Sequence, residues 1–270
     1  MYREYIPSTE LQPYIKCYWT FTSQASVTKI IPPQRILPDP CVELFFHFRD
    51  LFRRYNYASE LTHQNYTSGI MGPHRQNIYL EPQGNVSMAG IRFREGYAGM
   101  FLKLPTVELS GMLIDVQALF GTEYNHLQQS MHALFDHGDC RAVNRFFESR
   151  IGWNYAPPLY ILELIKRGKA AIAVDMRLFA RQCGISQRHL ERQFKAFTGL
   201  SFTHFCRIVR MNITARLLTM NSTNMTDLAY QLGFYDQAHF IHDFRNLTGT
   251  SPLLYKKEQH DMKAFGTREY

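Results

Sequence analysis

Asn224 to Pro252, NMTDLAYQLGFYDQAHFIHDFRNLTGTSP, is the stretch whose reading decides the fold. Leu228, Ala229 and Leu232 place apolar groups at i, i+1 and i+4, one face of a short helix. Gly233 follows where a helix ends in the left-handed region, which glycine reaches without a steric cost. Asp236 then offers a side-chain acceptor to the free N–H groups of a second helix. Phe240, Phe244 and Leu247 give that helix an apolar stripe at i, i+4 and i+7, with Gln237, Ala238, Ile241, His242 and Arg245 off the stripe. Thr248-Gly249 ends the helix and Pro252 bars its continuation. Two helices across a tight turn, the second with a polar and partly basic outer face, predict a helix-turn-helix.

A single pattern of this kind is weak evidence, because short helix pairs are common. The chain holds a second copy. Residues 175 to 199, DMRLFARQCGISQRHLERQFKAFTG, set Phe179-Ala180 against Leu228-Ala229 and Gly184 against Gly233. Leu190 and Phe194 then match Phe240 and Phe244, and Thr198-Gly199 matches Thr248-Gly249. The offset is 49 residues before the turn and 50 after it, so the second turn is one residue longer. Such a degenerate repeat is structurally informative. Between the copies, Phe202 to Met220 carries Phe205, Ile208, Val209, Ile213, Leu217 and Leu218 on a broad apolar face, with Arg207, Arg210 and Arg216 on or beside it. A helix of roughly 18 residues is about 27 Å long, a rod able to hold two units near one helical turn of DNA apart.

Charge separates the chain into two parts. Residues 1 to 156 hold 14 Lys+Arg and 14 Asp+Glu, whereas residues 157 to 270 hold 16 and 9, so the whole net +7 lies in the C-terminal part. A basic module joined to a neutral one suggests that one of them meets a polyanion. The five cysteines, at 17, 41, 140, 183 and 206, show no C-x-x-C spacing, which predicts reduced thiols in a cytoplasm and no zinc site. Neither a long apolar run nor a basic-then-apolar start is present, so neither a membrane span nor a signal peptide is expected.

To about residue 110 the expectation is strands: Tyr14 to Thr22, Cys41 to Phe48, Ile78 to Leu80 and Val86 to Phe93, punctuated by Leu37-Pro38-Asp39-Pro40, Gly72-Pro73 and Pro82-Gln83-Gly84. Short strands with this punctuation favour a closed or two-layered β-fold. Beyond Pro105 helices take over. One carries Leu127, Met131, Leu134 and Phe135; the next carries Val143, Phe146, Phe147 and Ile151, with Asp139 placed as its N-cap. Their stripes either pack on the barrel or pair with a second subunit. Gly152 to Pro157 (GWNYAP) is the candidate linker, after which Pro157-Pro158 starts a helix through Leu159, Leu162 and Ile165 that Gly168 ends. The fold expected is therefore α+β and multidomain. A β-barrel with helices occupies residues 1 to 151, and an all-α domain over residues 157 to 263 holds two helix-turn-helix units joined by a long helix.

Residues 157 to 257 resemble the AraC/XylS family of bacterial transcription regulators, whose DNA-binding module has this organisation. The resemblance rests on GISQRHLERQFKAFTG (184 to 199), RMNITARLL (210 to 218) and LAYQLGFYDQAHFIHDFRNLTGTSP (228 to 252). The sequence departs from the family at Phe202, where Pro is usual, and at Phe205, where Tyr is frequent. The front of the chain, ILPDPCVELFF and then GPHRQNIYLEPQGNVSMAGIRF, looks like the cupin-like sensory domain of one branch of that family. The resemblance implies double-stranded DNA and RNA polymerase as partners. It places the base-contacting positions at Arg188, Glu191 and Arg192 in the first unit and at Gln237, Ala238, His239 and His242 in the second. The chemistry agrees: Arg forks to guanine O6 and N7, Glu accepts from the cytosine amino group, Gln pairs with adenine, and Ala offers a methyl contact to thymine. Gln187, Lys195 and Arg245 suit phosphates, which position without reading sequence.

Other chemistry lacks its residues. His239 and His242 at i, i+3 find only Asp243 as a third ligand, and His47 and His74 are isolated, so no metal, cofactor or catalytic residue is expected. A cupin oxygenase would need a histidine cluster, and a DNA-repair methyltransferase would need four zinc-binding cysteines. Whether Glu43 and Arg92 line a barrel interior is not settled by sequence. The expected function is a sequence-specific DNA-binding transcription regulator, an activator, controlled at its N-terminal domain by a small molecule or a partner such as a second copy of the chain. The competing reading is an adaptor whose first domain binds protein or only dimerises. With zero net charge on the N-terminal part, the expectation is that it acts on the DNA-binding part through residues 152 to 157.

Overall fold

A computed structural model of the chain describes residues 1–23, 33–55, 67–152, 155–170, 172–220, 228–230 and 232–261. The N-terminal part is built on two antiparallel sheets. Strands β1 (Tyr2–Tyr5), β2 (Ile15–Ser23), β4 (Glu43–His47), β6 (Ser68–Met71), β8 (Val86–Phe93) and β9 (Leu113–Asp115) form the larger one, in the order β1-β2-β8-β4-β6-β9. Strands β3 (Gln34–Ile36), β5 (Phe52–Tyr55) and β7 (Ile78–Pro82) form the smaller, in the order β3-β7-β5.

Every residue of β8 is buried, because the large sheet is the middle layer of three. Ala89, Ile91 and Phe93 face helices α1 (Ala98–Leu102), α3 (Tyr124–His137) and α4 (Arg141–Glu148), while α2 (Val116–Phe120) adds Val116 and Phe120 to the same core. Val86 and Met88 point the other way, into a cluster with Cys17 and Trp19 against which Phe52 of the small sheet packs. Alternation along one strand thus serves two cores. A Cβ on Gly90 would lie 2.3 Å from the Trp19 ring, so glycine is what lets the indole lie on the strand. The stripes on α3 and α4 are spent on the sheet: Leu127, Met131, Leu134, Val143 and Phe147 have no exposed surface. Asp139 is not the N-cap of α4; Cys140 holds that position, and Asp139 accepts from Arg141 N one residue earlier.

The C-terminal part is helical: α5 (Leu159–Lys169), α6 (Met176–Gln182), α7 (Gln187–Thr198), α8 (Phe202–Met220), α9 (Gln237–Thr248) and α10 (Pro252–Asp261). Three differences from the sequence reading stand out here. In α5 the buried face is Ile161, Leu164 and Ile165, and Leu159 is 83% exposed, because the helix starts at Leu159 and turns that residue outward. Gly168 lies within this helix rather than ending it, and its missing side chain admits the Phe205 ring: a Cβ there would come within 2.9 Å of it. Pro252 opens α10 instead of merely stopping α9, since a first helical position needs no N–H.

The two parts are packed directly together. Leu37, in the Leu37–Pro40 loop, is buried in the same cluster as Met211, Leu218, Phe240 and Phe244. The Pro38 carbonyl accepts from Asn212 Nδ2 at 3.1 Å, Arg35 pairs with Glu258 at 2.6 Å and Lys169 with Glu95 at 2.9 Å. Tyr155, at the end of the expected linker, stacks on Phe197 with ring centroids 5.0 Å apart. Control through residues 152 to 157 alone is therefore not what the fold provides, because the neutral domain touches the basic one over a shared surface. Trp153 and Asn154 of that stretch lie outside the described residues, as do 224–227, Gln231 and 262–270.

The loop that reaches across is held from behind by a buried ion cluster. Arg92, fully buried, donates through Nε to Glu43 Oε1 at 2.6 Å, and its Nη2 lies 3.8 Å from Asp39. Glu43 and Arg92 sit directly opposite each other on β4 and β8, so the pairing follows from the register. Burial opposes the charge on Asp39, but Arg92 and the Cys41 N–H outweigh it and hold the carboxyl below its usual range. Burial also pushes His74 below the ordinary histidine value, and its Nε2 meets the Leu37 carbonyl at 3.0 Å. Replacing Arg92 by Met should leave two carboxylates buried beside no cation and cost about 3–5 kcal/mol, read as a lower urea midpoint at pH 7. An unchanged midpoint would show that the cluster is not what anchors the Leu37–Pro40 loop.

Candidate nucleic-acid interface

Helices α7 and α9 are built alike. Ser186 Oγ accepts from His189 N at 3.2 Å and Asp236 Oδ1 from His239 N at 2.7 Å, so each helix starts on a side-chain cap. Leu190 and Phe194 in α7, and Phe240 and Phe244 in α9, are buried as their spacing requires. Each helix ends in the same way. Thr198 and Thr248 donate back to the Phe194 and Phe244 carbonyls at 2.7 and 2.8 Å, and Gly199 and Gly249 both take φ 74°. The turns before the helices also match, with Gly184 at φ 70° and Gly233 at φ 73°. Leu228 and Ala229 are helical and buried, as their spacing predicts.

The rod between them is α8, 19 residues and so about 28 Å long. Its first half gives Phe205 and Ile208 to the core of the first unit; its second half gives Met211, Ala215 and Leu218 to that of the second. Of the other residues expected on the core face, Val209 is half-buried against the first core, and Ile213 is half-buried outside both cores. Two arginines fasten the second unit to the rod. Arg207 Nε donates to the buried Asp243 at 3.0 Å, and the Arg210 guanidinium lies 5.1 Å from the Phe234 ring centroid. Sequence reasoning missed this pairing because its partner, Arg207, lies 36 residues away and no local pattern links the two. The Ser186 cap was visible in principle, as a serine directly before a polar helix start.

Gln187, Arg188, Glu191, Arg192 and Lys195 are all exposed on one face of α7, and Gln237, Ala238, His239, His242 and Arg245 on α9. Gln187, Arg188, Arg192 and Lys195 occupy the same places on the first repeat as Gln237, Ala238, His242 and Arg245 on the second, whereas Glu191 falls opposite Ile241 and His239 opposite His189. Several members hold one another: Gln187 Nε2 donates to Glu191 at 2.8 Å, and Arg192 Nη2 lies 3.1 Å from His189 Nδ1. His242 lies 3.2 Å from Asn246 Nδ2, and the His239 ring packs edge-on against Phe234. With Asp243 turned to Arg207, the trio His239, His242 and Asp243 does not converge on one point. Among the described residues no group of three His, Cys, Asp or Glu side chains is placed to hold a metal, and no helix is long and apolar enough to cross a membrane. All five cysteines are free thiols.

Two family models match this chain: a domain of unknown function, DUF6597, over residues 3–115, and a helix-turn-helix domain over residues 179–258. The HTH-type transcriptional regulator GlxA of Rhizobium meliloti is 32% identical over 103 residues, covering 38% of this chain and 32% of that protein. Residues 179–258 are thus a helix-turn-helix domain of the AraC type. Histidine kinase P4 of Formosa agariphila matches at 26% over 94 residues, 35% of this chain and only 7% of the kinase. The chain thus spans about a third or less of these curated relatives. Unsaturated fatty acid-bound ToxT from Vibrio cholerae superposes with a TM-score of 0.51 at 10% identity, covering 93% of this chain and 96% of that one. That likeness gives the same two-part architecture, a sheet-rich domain followed by a helical one.

Proposed function

We propose that this AraC-family regulator reads two successive major-groove segments of one DNA site with the N-terminal halves of α7 and α9. The observation that carries the reading is the repeat itself. Two helices capped in the same way, by a side-chain oxygen at the start and threonine-glycine at the end, expose polar faces from opposite halves of one 19-residue rod. All of the net positive charge belongs to residues 157 to 270, which gives this module and not the sheets a long-range attraction to phosphate. Arg188, Glu191 and Arg192 are assigned to base edges in one segment, and Gln237, Ala238, His239 and His242 in the next. Gln187, Lys195 and Arg245 are assigned to phosphates. The His189 contact orients Arg192, and a held guanidinium loses less freedom on binding. Replacing Arg192 by Ala should cost about 1–3 kcal/mol on the cognate site and relax preference at one base pair. Lys195→Ala should weaken cognate and random duplexes alike and flatten the salt dependence. Equal loss on both duplexes for Arg192→Ala would reassign that residue to the backbone.

The effector site we propose is the cleft between the two parts, about 400 Å³, lined by Lys16, Asp39, Pro40, Cys41, Glu95, Lys169, Val209, Asn212, Ile213 and Arg216, with Asp39 facing the buried Arg92. Its volume lies within the usual range for small-molecule sites. Lys169 is committed to Glu95, whereas Lys16 and Arg216 make no ion pair with a described residue, so two cations border an apolar floor. That chemistry suits an amphipathic molecule with one anionic end, the class of the unsaturated fatty acid bound to ToxT. A ligand touching both parts favours their packed arrangement and shifts DNA affinity only through that preference. Oleate should raise the thermal midpoint and change operator affinity by about 5- to 150-fold, with Lys16→Ala and Arg216→Ala removing both effects. No shift with oleate in either measurement would favour the adaptor, whose first domain binds protein.

A further inference from the structure

Gly199 and Gly249, the equivalent residues that end α7 and α9, both lie against the N-terminal part, and against the same short segment of it. A Cβ on Gly199 would stand 3.1 Å from Pro73 Cγ and 3.2 Å from the Thr106 carbonyl oxygen. A Cβ on Gly249 would stand 3.4 Å from Asn77 Nδ2. Pro73 and Asn77 are four residues apart, so their Cα atoms can be separated by at most about 14 Å. One short strip of chain therefore abuts the C-terminal ends of both helices through its side chains. We propose that Pro73–Asn77 is a spacer that fixes the separation and angle of the two reading helices, making Asn77 a determinant of which half-site spacing the chain accepts. This rests on the reading of α7 and α9 as the elements that enter DNA.

The physical argument is rotational. Moving one half-site by a base pair advances it about 3.4 Å along the duplex and turns it by roughly a tenth of a revolution about the axis. The second unit can follow only by swinging about α8. Arg207–Asp243 ties it to the rod at one place, and Asn77 against Gly249 blocks the swing at its far end. The first unit is held at the matching place by Pro73 and Thr106, so neither helix can adjust while the strip is seated.

The seat is also built to part. Asn77 Nδ2, Thr106 Oγ1 and Thr250 Oγ1 are buried at these contacts with no hydrogen-bond partner among the described residues. Groups buried in that way regain hydrogen bonds when an interface opens, so the contact positions the helices without the permanence of a fused core. Asn77 is a positioning residue that acts through Gly249.

The test selects duplexes from a pool in which the two half-sites are constant and the spacer between them is one or two base pairs shorter or longer. The full chain should favour one spacer by about tenfold, the scale of one mismatched base pair. Asn77→Ala, which removes the contact, and Asn77→Arg, which wedges it apart, should bring that preference below about threefold while each single half-site is still bound as before. Amide exchange without DNA reads the contact independently: both variants should speed exchange over residues 245–252. A variant that keeps the full spacer preference, or unchanged exchange in Asn77→Ala, overturns the proposal. If Asn77→Arg fails to fold, Asn77→Ala alone decides. A full chain that selects no duplex would instead overturn the DNA reading, and the exchange arm would still judge the contact.

Discussion

The burial of α8 on two cores at once is the constraint from which the C-terminal architecture follows. A pair of short helices cannot bury its apolar face alone, and α6 with α7 is no exception. Phe205 and Ile208 complete the first core, and Met211, Ala215 and Leu218 complete the second. A helix spans about 1.5 Å per residue and does not stretch, so the two cores are set a fixed distance apart. The outward faces of α7 and α9 inherit that distance. Their matching caps, serine or aspartate at the start and threonine-glycine at the end, make each helix begin and stop at the same place relative to its core.

The N-terminal part contributes through a chain of contacts that starts in the middle of its sheet. The register of β4 and β8 places Glu43 opposite Arg92, and Arg92 holds Asp39 near the start of β4. Leu37, two residues earlier, lies in the core of the second helix-turn-helix unit, and the Pro38 carbonyl is tied to Asn212 on α8. A buried ion cluster is weak evidence for stability, because desolvation cancels much of the attraction, but its geometry is specific. Here that geometry fixes the loop on which one side of the domain contact rests. The proposed effector cleft includes Asp39, Pro40 and Cys41 of the same stretch, so a molecule seated there would bear directly on both parts.

Much of this was legible in the sequence where side-chain periodicity or a special backbone angle was at stake. The stripes of α7 and α9, the Asp236 cap, the positive-φ glycines and strand β8 all follow from local rules. The face of α5 was ambiguous because its first turns, LYILELI, are apolar at nearly every position, and either of two registers satisfies the spacing. Strands such as β5 (FRRY) and β9 (LID) are too short for alternation to show. The contact between the two parts was invisible for a different reason. Leu37, Pro73 and Asn77 lie in Pro- and Gly-punctuated loops, where no period distinguishes a residue that packs on a distant helix from one facing water. The Asp243–Arg207 pair is likewise a meeting of residues 36 positions apart.

The measurement that bears most directly on the account is a hydroxyl-radical footprint of the full chain on a duplex it selects. Two helices held on one rod predict two protected patches on the same face of the DNA, about one helical turn or 34–36 Å apart. Arg192→Ala and Gln237→Ala should each lighten a different patch. A single patch, or two patches on opposite faces, would contradict the claim that α7 and α9 read successive major-groove segments together.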